Sequence, residues 1–240
     1  MNEAGERLYG AAAPMQDAAL SLRNTVDTMG ARPPERVRIT VAELLAELLP
    51  TLASPSPSLL PELGVSVDVL ITSSRLNLLE READIALRHV RPTQQELICR
   101  RVGSIRMNAY ASESYLESRG ALSRQDVATH RLIESLDSQD FLEVLRKQGF
   151  PFADNQEVFG SDSLACQKSA AKSGWGVGAF PEAMIEVDDG LVPAMSEGEP
   201  VDIPVWLVAR PEVRENRVMK ALYDEIGRAL EGRLEATLRA

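Results

Sequence analysis

The sequence predicts an α/β fold in which strands and helices alternate along the chain. Apolar runs typical of strands occupy residues 37–41 and 65–71, and residues with helical spacing follow each of them. The stretch Arg75–Arg88 passes from helical spacing to the two-residue alternation of a strand, with Ile85 and Leu87 on one face. An order of strand, helix, strand, helix, strand implies parallel pairing through right-handed crossovers.

The composition is typical of a globular protein. Of the 240 residues, 44% are hydrophobic and 26% are charged, which allows one large domain or two small lobes. The formal net charge of −10 opposes the binding of DNA or an anionic membrane through the overall field, although it allows a local basic patch. Cys99 and Cys166 belong to no CxxC pair, and no run approaches the ~18–20 apolar residues of a membrane span. With no signal segment visible, we expect a cytoplasmic protein with reduced thiols and no membrane contact.

A seven-residue repeat of apolar side chains predicts a helix within residues 1–33. Leu8, Met15, Leu22 and Met29 recur at this interval, which is the pattern of a helix that packs along another helix. The partner is either a second copy of the chain, which would make this a dimerisation helix, or the chain's own domain. The periodicity favours neither.

Polar and cationic residues follow the predicted strands of the first half of the chain. Arg88 and His89 end the strand near residue 87, and Ser73 follows the strand at 65–71. Ligands of open α/β sheets bind outside the carboxyl ends of the strands, so these three residues form a site hypothesis. The alternative for Arg88 is a surface ion pair with Glu80 or Glu82.

Two predicted turns before helices also offer hydrogen-bond donors to an anion. Thr40, Val41 and Ala42 lie between a strand and a helix, where free backbone N–H groups would face a ligand. The alternative is that Thr40 only caps the helix. Ser161 lies in a later turn of the same kind, where we expect the neighbouring Asp162 to cap the following helix.

Several motifs, taken in order, resemble the effector-binding domain of LysR-type transcriptional regulators. They are Arg75–Arg88, Arg100–Gly103, Ala111–Leu116, Thr129–Ile133, Ser161–Ser163, Gly174–Pro181 and Leu191–Pro193. Before them, Glu3–Leu8 resembles the end of the winged helix-turn-helix and the start of the linker helix of the same regulators. The resemblance covers nearly the whole chain. It departs from the family in one respect, because no DNA-reading helices precede Met1.

The resemblance implies a fold of the type 2 periplasmic-binding-protein kind. This fold consists of two Rossmann-like lobes with a hinge and an interlobe cleft, here preceded by a linker helix. Residues 1–33 would form the linker or dimerisation helix. Residues 34–108 and 206–240 would form regulatory lobe I, and residues 109–205 regulatory lobe II.

The resemblance also implies a ligand-sensing function. A small effector would bind in the interlobe cleft and change the lobe and dimer geometry, and thereby control DNA binding and transcription. The chain would form a homodimer or homotetramer and would contact DNA only through a winged helix-turn-helix that is absent from this chain. Because the site candidates share hydrogen-bond donation, we expect an effector that bears a carboxylate. The candidates are Thr40, Val41, Ala42, Ser73, Arg88, His89 and Ser161.

The sequence carries no recognisable catalytic motif. It has 2 histidines and lacks a G-x-S-x-G elbow, an H-E-x-x-H motif and Cys-His metal spacing. We therefore predict no catalytic residue, no metal and no cofactor, and we expect His130 to be structural. The glycines of Gly174–Gly178 precede a strand, so they indicate close backbone approach and not a phosphate loop. The open alternatives are a transporter's solute-binding protein, a stand-alone sensor and an enzyme on the same fold.

Overall fold

The computed structural model describes residues 36–48, 65–72, 83–136, 140–153 and 155–237. The predicted N-terminal helix and Ser73 lie outside these ranges. Within them, strands and helices alternate as expected, and the predicted α/β class is confirmed.

The described elements are nine strands, four α-helices and five short 3₁₀ segments. The strands are β1 (Arg36–Val41), β2 (Ser66–Ile71), β3 (Ile85–Arg88), β4 (Ile98–Ser112), β5 (Leu132–Ser135), β6 (Val158–Ser161), β7 (Val177–Pro181), β8 (Leu191–Pro193) and β9 (Val201–Ala209). The α-helices are α1 (Glu113–Arg119), α2 (Asp140–Lys147), α3 (Leu164–Lys172) and α4 (Arg217–Thr237). The 3₁₀ segments are Glu43–Leu48, Val127–Thr129, Glu182–Met184, Val187–Asp189 and Pro211–Arg214.

The chain divides into two compact units. The first consists of Met1–Ala42, Leu48–Val102 and Trp206–Glu231, and the second of Glu43–Glu47, Gly103–Val205 and Gly232–Ala240. The strands β4 and β9 each contribute residues to both units. The lobe boundaries given above from the sequence stay a prediction.

The first unit contains strands in the order β2-β1-β3-β9. The strand β1 is parallel to both β2 and β3, and β9 runs antiparallel to β3. Val37, Ile39 and Val41 of β1 and Ile85 and Leu87 of β3 are buried, because alternate side chains of neighbouring strands enter the same core. The predicted parallel pairing is therefore confirmed for β1 with β2 and with β3.

The second unit contains strands in the order β4-β7-β5-β6, with β8 also paired to β4. The strand β5 is parallel to β6 and to β7, and β4 is antiparallel to β7. Adjacent residues of β5 enter different cores: Leu132 packs with Leu122 and Leu145, whereas Ile133 packs with Phe180. Leu132 and Ile133 enter different cores because successive side chains of a strand point to opposite faces of the sheet, and this strand has a core on each face.

The helix that follows β4, α1, is capped by a serine at its start and a glycine at its end, the residue types that typically begin and end helices. The Ser112 hydroxyl accepts a hydrogen bond from the Tyr115 N–H at 3.3 Å, and Gly120, at a φ of 80°, donates its N–H to the Leu116 carbonyl. By contrast, the helix predicted after β1 is a 3₁₀ segment that ends at Leu48.

Candidate functional site

The Arg88 guanidinium is the centre of the candidate site in the first unit. Its Nη2 donates to the Thr40 hydroxyl at 2.8 Å, and its Nη1 donates to the Leu87 carbonyl at 3.0 Å. Thr40 is fully buried and lies beside Ala86 in the sheet, so its side chain shares a face with Arg88, two residues further along β3. The sheet register thus brings together two candidates that are 48 residues apart.

Arg88 has more N–H donors than the described residues use. A guanidinium has five N–H groups in a planar fork, and the described residues accept from two of them. Burial lowers the pKa of Arg88, but the starting value of 12.5 is so high that the side chain stays cationic at neutral pH. A partly buried cation with a planar fork of donors suits a carboxylate, which accepts two parallel hydrogen bonds.

Trp206 belongs to the same surface and was missing from the sequence-based candidates. It lies directly opposite Arg88 in the antiparallel pair of β3 and β9. The Arg91 guanidinium carbon lies 5.2 Å from the centroid of the Trp206 ring, within cation–π range. The aromatic composition of β9 was visible in the sequence, but its register against β3 was not.

The structure corrects the expectation of free N–H groups at the end of β1. The Ala42 N–H donates to the Leu87 carbonyl at 3.1 Å, and the Val41 carbonyl accepts from the Thr72 N–H at 2.9 Å. Sheet pairing on both sides of β1 continues to its last residue, so the backbone is satisfied before the 3₁₀ segment begins at Glu43.

Two further candidates of the predicted site are His89 and Ser73. His89 directly follows Arg88 and is partly buried, whereas Ser73 lies outside the described residues. The effector-binding role of both residues stays a prediction.

In the second unit, Ser161 ends β6 just before α3. Its hydroxyl accepts from the Ser163 N–H at 3.1 Å, and its carbonyl accepts from the Gln167 side chain at 2.8 Å. The expected cap at Asp162 is wrong, because α3 begins at Leu164 and the preceding Ser163 accepts from the Cys166 N–H. Ser161 and Arg88 belong to different units, so the two candidate sets are described separately.

The amino end of α3 already holds a carboxylate from the chain. Glu43 Oε1 accepts the Leu164 N–H at 2.9 Å and the Ser163 hydroxyl at 3.3 Å. Glu43 belongs to the short segment Glu43–Glu47 of the second unit. The residues around Glu43 in the sequence carry no signal for this contact, because its partners lie more than 100 residues further along the chain.

His130 is buried in the second unit, in agreement with the prediction of a structural residue. Its side chain is 1% exposed, and Nδ1 lies 3.3 Å from the Tyr115 hydroxyl. That hydroxyl oxygen also accepts the Arg131 N–H at 2.9 Å, so Tyr115 contacts both His130 and the residue that follows it. Burial lowers the pKa of His130 from its ordinary value of 6.5.

This lowered pKa predicts a pH-dependent stability. Below pH 6.5 the unfolded chain binds a proton at His130 that the folded chain resists, so the free energy of unfolding falls as the pH decreases from 7 towards 5. Urea titrations at a series of pH values measure that slope. We expect His130→Gln to flatten it. Equal slopes in wild type and His130→Gln would contradict a lowered pKa of His130 in the folded chain.

Two further features bear on the chemistry available to the described ranges. No group of three or more His, Cys, Asp or Glu side chains in them is arranged to hold a metal ion. Nor does any helix in them have the length and apolar character needed to cross a membrane.

Comparison with models of protein families identifies the family to which the chain belongs. The model of the LysR substrate binding domain matches residues 30–231, which is most of the chain. The chain belongs to this family. It is therefore the effector-binding domain of a LysR-type regulator, as the order of its sequence motifs predicts.

Solved structures agree with the LysR assignment. The CrgA regulatory domain, a LysR-type transcriptional regulator from Neisseria meningitidis, is 22% identical with a TM-score of 0.69, covering 82% of this chain and 100% of that one. ArgP from Mycobacterium tuberculosis is 20% identical with a TM-score of 0.69, covering 92% and 76%. AphB, a virulence activator from Vibrio cholerae, is 18% identical with a TM-score of 0.71, covering 94% and 79%.

These likenesses establish the fold of the LysR domain. The predicted periplasmic-binding-protein-like class is confirmed. A comparison with curated protein sequences finds no match.

Proposed function

We propose that this LysR domain senses a small carboxylate-bearing effector and, through it, controls DNA binding and transcription. The observation that carries the proposal is the Arg88–Thr40 pair at the carboxyl ends of β3 and β1. That edge of a parallel sheet is where α/β proteins bind ligands. Regulation and not catalysis is proposed, because the family consists of regulator domains.

Arg88 would supply the charge of the site, and Thr40 would orient it. The hydrogen bond to the buried Thr40 hydroxyl fixes one edge of the guanidinium fork, and the Leu87 carbonyl fixes a second N–H. A fork held in one geometry loses little side-chain entropy when it binds a carboxylate. Each hydrogen bond between the two charged groups would contribute about 1.5–3 kcal/mol.

The other candidates would complete the binding surface. Val41 and Ala42 are buried, and the Ala42 N–H is already used, so these two residues would shape the site. Ser73 and His89 would contribute hydrogen bonds beside Arg88. Ser161 remains a candidate in the second unit, and the predicted interlobe position of the effector is part of the proposal.

A binding experiment on Arg88 tests the function. A thermal-shift screen of small carboxylates, each paired with its uncharged amide, first identifies a ligand of the wild-type domain. Arg88→Ala should then weaken calorimetrically measured binding by about 30-fold, the equivalent of roughly 2 kcal/mol. Arg88→Lys should recover only part of the loss, because an ammonium cannot form the planar fork.

Matched controls separate ligand binding from a structural ion pair. Arg36→Ala removes an exposed arginine that pairs with Asp68 and should leave binding unchanged. If Arg88 instead pairs with Glu80 or Glu82, glutamine at those positions would alter stability while Arg88→Ala left the affinity intact. Binding by Arg88→Ala equal to wild type would therefore remove Arg88 from the site.

The domain is further proposed to act as a homodimer or homotetramer, with DNA bound by a winged helix-turn-helix. Support comes from the edge strand β2, where Val69, Leu70 and Ile71 are 43–58% exposed. An edge strand with exposed apolar side chains is suited to an interface.

A further inference from the structure

The amino end of α3 is satisfied by a side chain that is distant in sequence. The first N–H groups of an α-helix have no partner within the helix, and the positive end of the helix dipole favours a negative charge there. Glu43 Oε1 accepts the first of these N–H groups, from Leu164, and also the Ser163 hydroxyl. The Ser163 hydroxyl in turn accepts the Cys166 N–H, so one carboxylate oxygen and one hydroxyl serve the Leu164 and Cys166 N–H groups at this end of the helix.

We propose that Glu43 is an internal anion that closes α3 to external carboxylates. A second carboxylate cannot accept the Leu164 N–H while Glu43 Oε1 lies 2.9 Å from that nitrogen. Two carboxylates at one helix end would also repel each other. In the described conformation, an effector carboxylate is therefore excluded from the Leu164 N–H, and Glu43 selects against a ligand that would place one there.

The closure is specific to Glu43 among the nearby acidic residues. Asp162 lies two residues before Leu164 but is exposed, and the cap position belongs to Ser163. Leu45, in the same short segment as Glu43, is fully buried and holds the segment in place. Opening would therefore require only rotation of the Glu43 side chain.

The position of Glu43 also links the closure to sensing. Glu43 directly follows Ala42, a candidate effector contact, so a ligand that moves Ala42 acts on the residue that closes α3. This link rests on the proposed function, whereas the closure itself does not.

Acetate titration followed by amide NMR tests the closure. At constant ionic strength, acetate should leave the Leu164 and Cys166 amide signals of the wild-type domain unmoved. In Glu43→Ala, which empties the position, both signals should shift saturably, with an acetate affinity at least tenfold higher than in wild type. Glu43→Gln keeps an acceptor for the Leu164 N–H without the charge and should give an intermediate affinity.

Asp162→Asn is the matched control. It removes a carboxylate near the same helix end that does not contact it, and it should behave as wild type. Saturable shifts of equal affinity in wild type and Glu43→Ala, or in Asp162→Asn, would overturn the proposal. So would the absence of any shift in Glu43→Ala, because Glu43 would then be a structural cap only.

Two safeguards keep the test decisive. If Glu43→Ala fails to fold, the comparison of wild type with the nearly isosteric Glu43→Gln answers the same question. Arg88→Ala should leave the acetate response of α3 unchanged in every background. Failure of the effector proposal and failure of the closure would therefore be distinguishable.

Discussion

Asp84→Ala is expected to lower the free energy of unfolding of the first unit by about 2–4 kcal/mol. Asp84 Oδ1 accepts from Arg210 Nη2 at 2.7 Å, and the Arg210 side chain is only 11% exposed. Two other guanidinium nitrogens of Arg210, Nε and Nη1, are buried without a hydrogen-bond partner. Loss of Asp84 would leave a largely buried cation without its carboxylate, and this uncompensated charge dominates the cost.

A second contact adds to the effect of Asp84. Its Oδ2 accepts the Arg38 N–H at 2.9 Å, and its own N–H donates to the Arg38 carbonyl. Asp84→Asn would keep one acceptor oxygen for the Arg38 N–H but would lose both the charge and the acceptor for Arg210, so it should cost less than Asp84→Ala by the Arg38 hydrogen bond. Comparing the two variants by urea unfolding separates the ionic part from the hydrogen bond.

Asp68→Ala is the matched control for Asp84. Asp68 also pairs with an arginine, Arg36, but the two side chains are 36% and 64% exposed. Solvent screens such a pair, so its loss should cost about 0–1 kcal/mol. Equal effects of Asp68→Ala and Asp84→Ala would show that burial of Arg210 does not determine the stability of the first unit.

Gly176→Ala is expected to destabilise the second unit by about 2–3 kcal/mol. A Cβ at Gly176 would overlap the carbonyl oxygen of Arg131 and lie 2.8 Å from its carbonyl carbon. The Arg131 backbone cannot easily retreat, because its carbonyl accepts the Val177 N–H at 2.9 Å. The melting temperature measured by calorimetry should fall by roughly 5–10 °C.

Gly232→Ala provides a control of opposite sign. Gly232 lies in α4, and nothing stands within 4 Å of the position its Cβ would take. Alanine there gains helix propensity without a clash, so stability should rise by about 0.5–1 kcal/mol. Destabilisation by Gly232→Ala as large as that by Gly176→Ala would rule out the close approach of Arg131 as the cause.

Local patterns in the sequence predicted several features correctly. The two-residue alternation at Ile85 and Leu87 identifies β3, because side chains two residues apart in a strand share a face, and both are buried. Ser112 and Gly120 mark the ends of α1 through interactions within one helical turn. The glycine run before β7 predicts close backbone approach, which Gly176 makes against Arg131.

The same reasoning failed where a contact depends on register. The turn after β1 was predicted to hold free N–H groups, yet the Ala42 N–H is used by Leu87. Asp162 was predicted to cap α3, yet the helix begins one residue later than that cap requires. A shift of one residue changes every partner in such elements, and local propensity does not resolve so small a shift.

The sequence by itself determined the α/β class, the order of the elements and the family, because these follow from periodicity and from motifs read along the chain. Only the tertiary structure decided which side chains meet: Arg88 with Thr40, Trp206 opposite Arg88, and Glu43 at the end of α3. The partners are 48 residues apart in the first contact, 118 (206 − 88) in the second and 121 in the third. Partners so distant are fixed by strand register and chain crossovers, which no local pattern specifies.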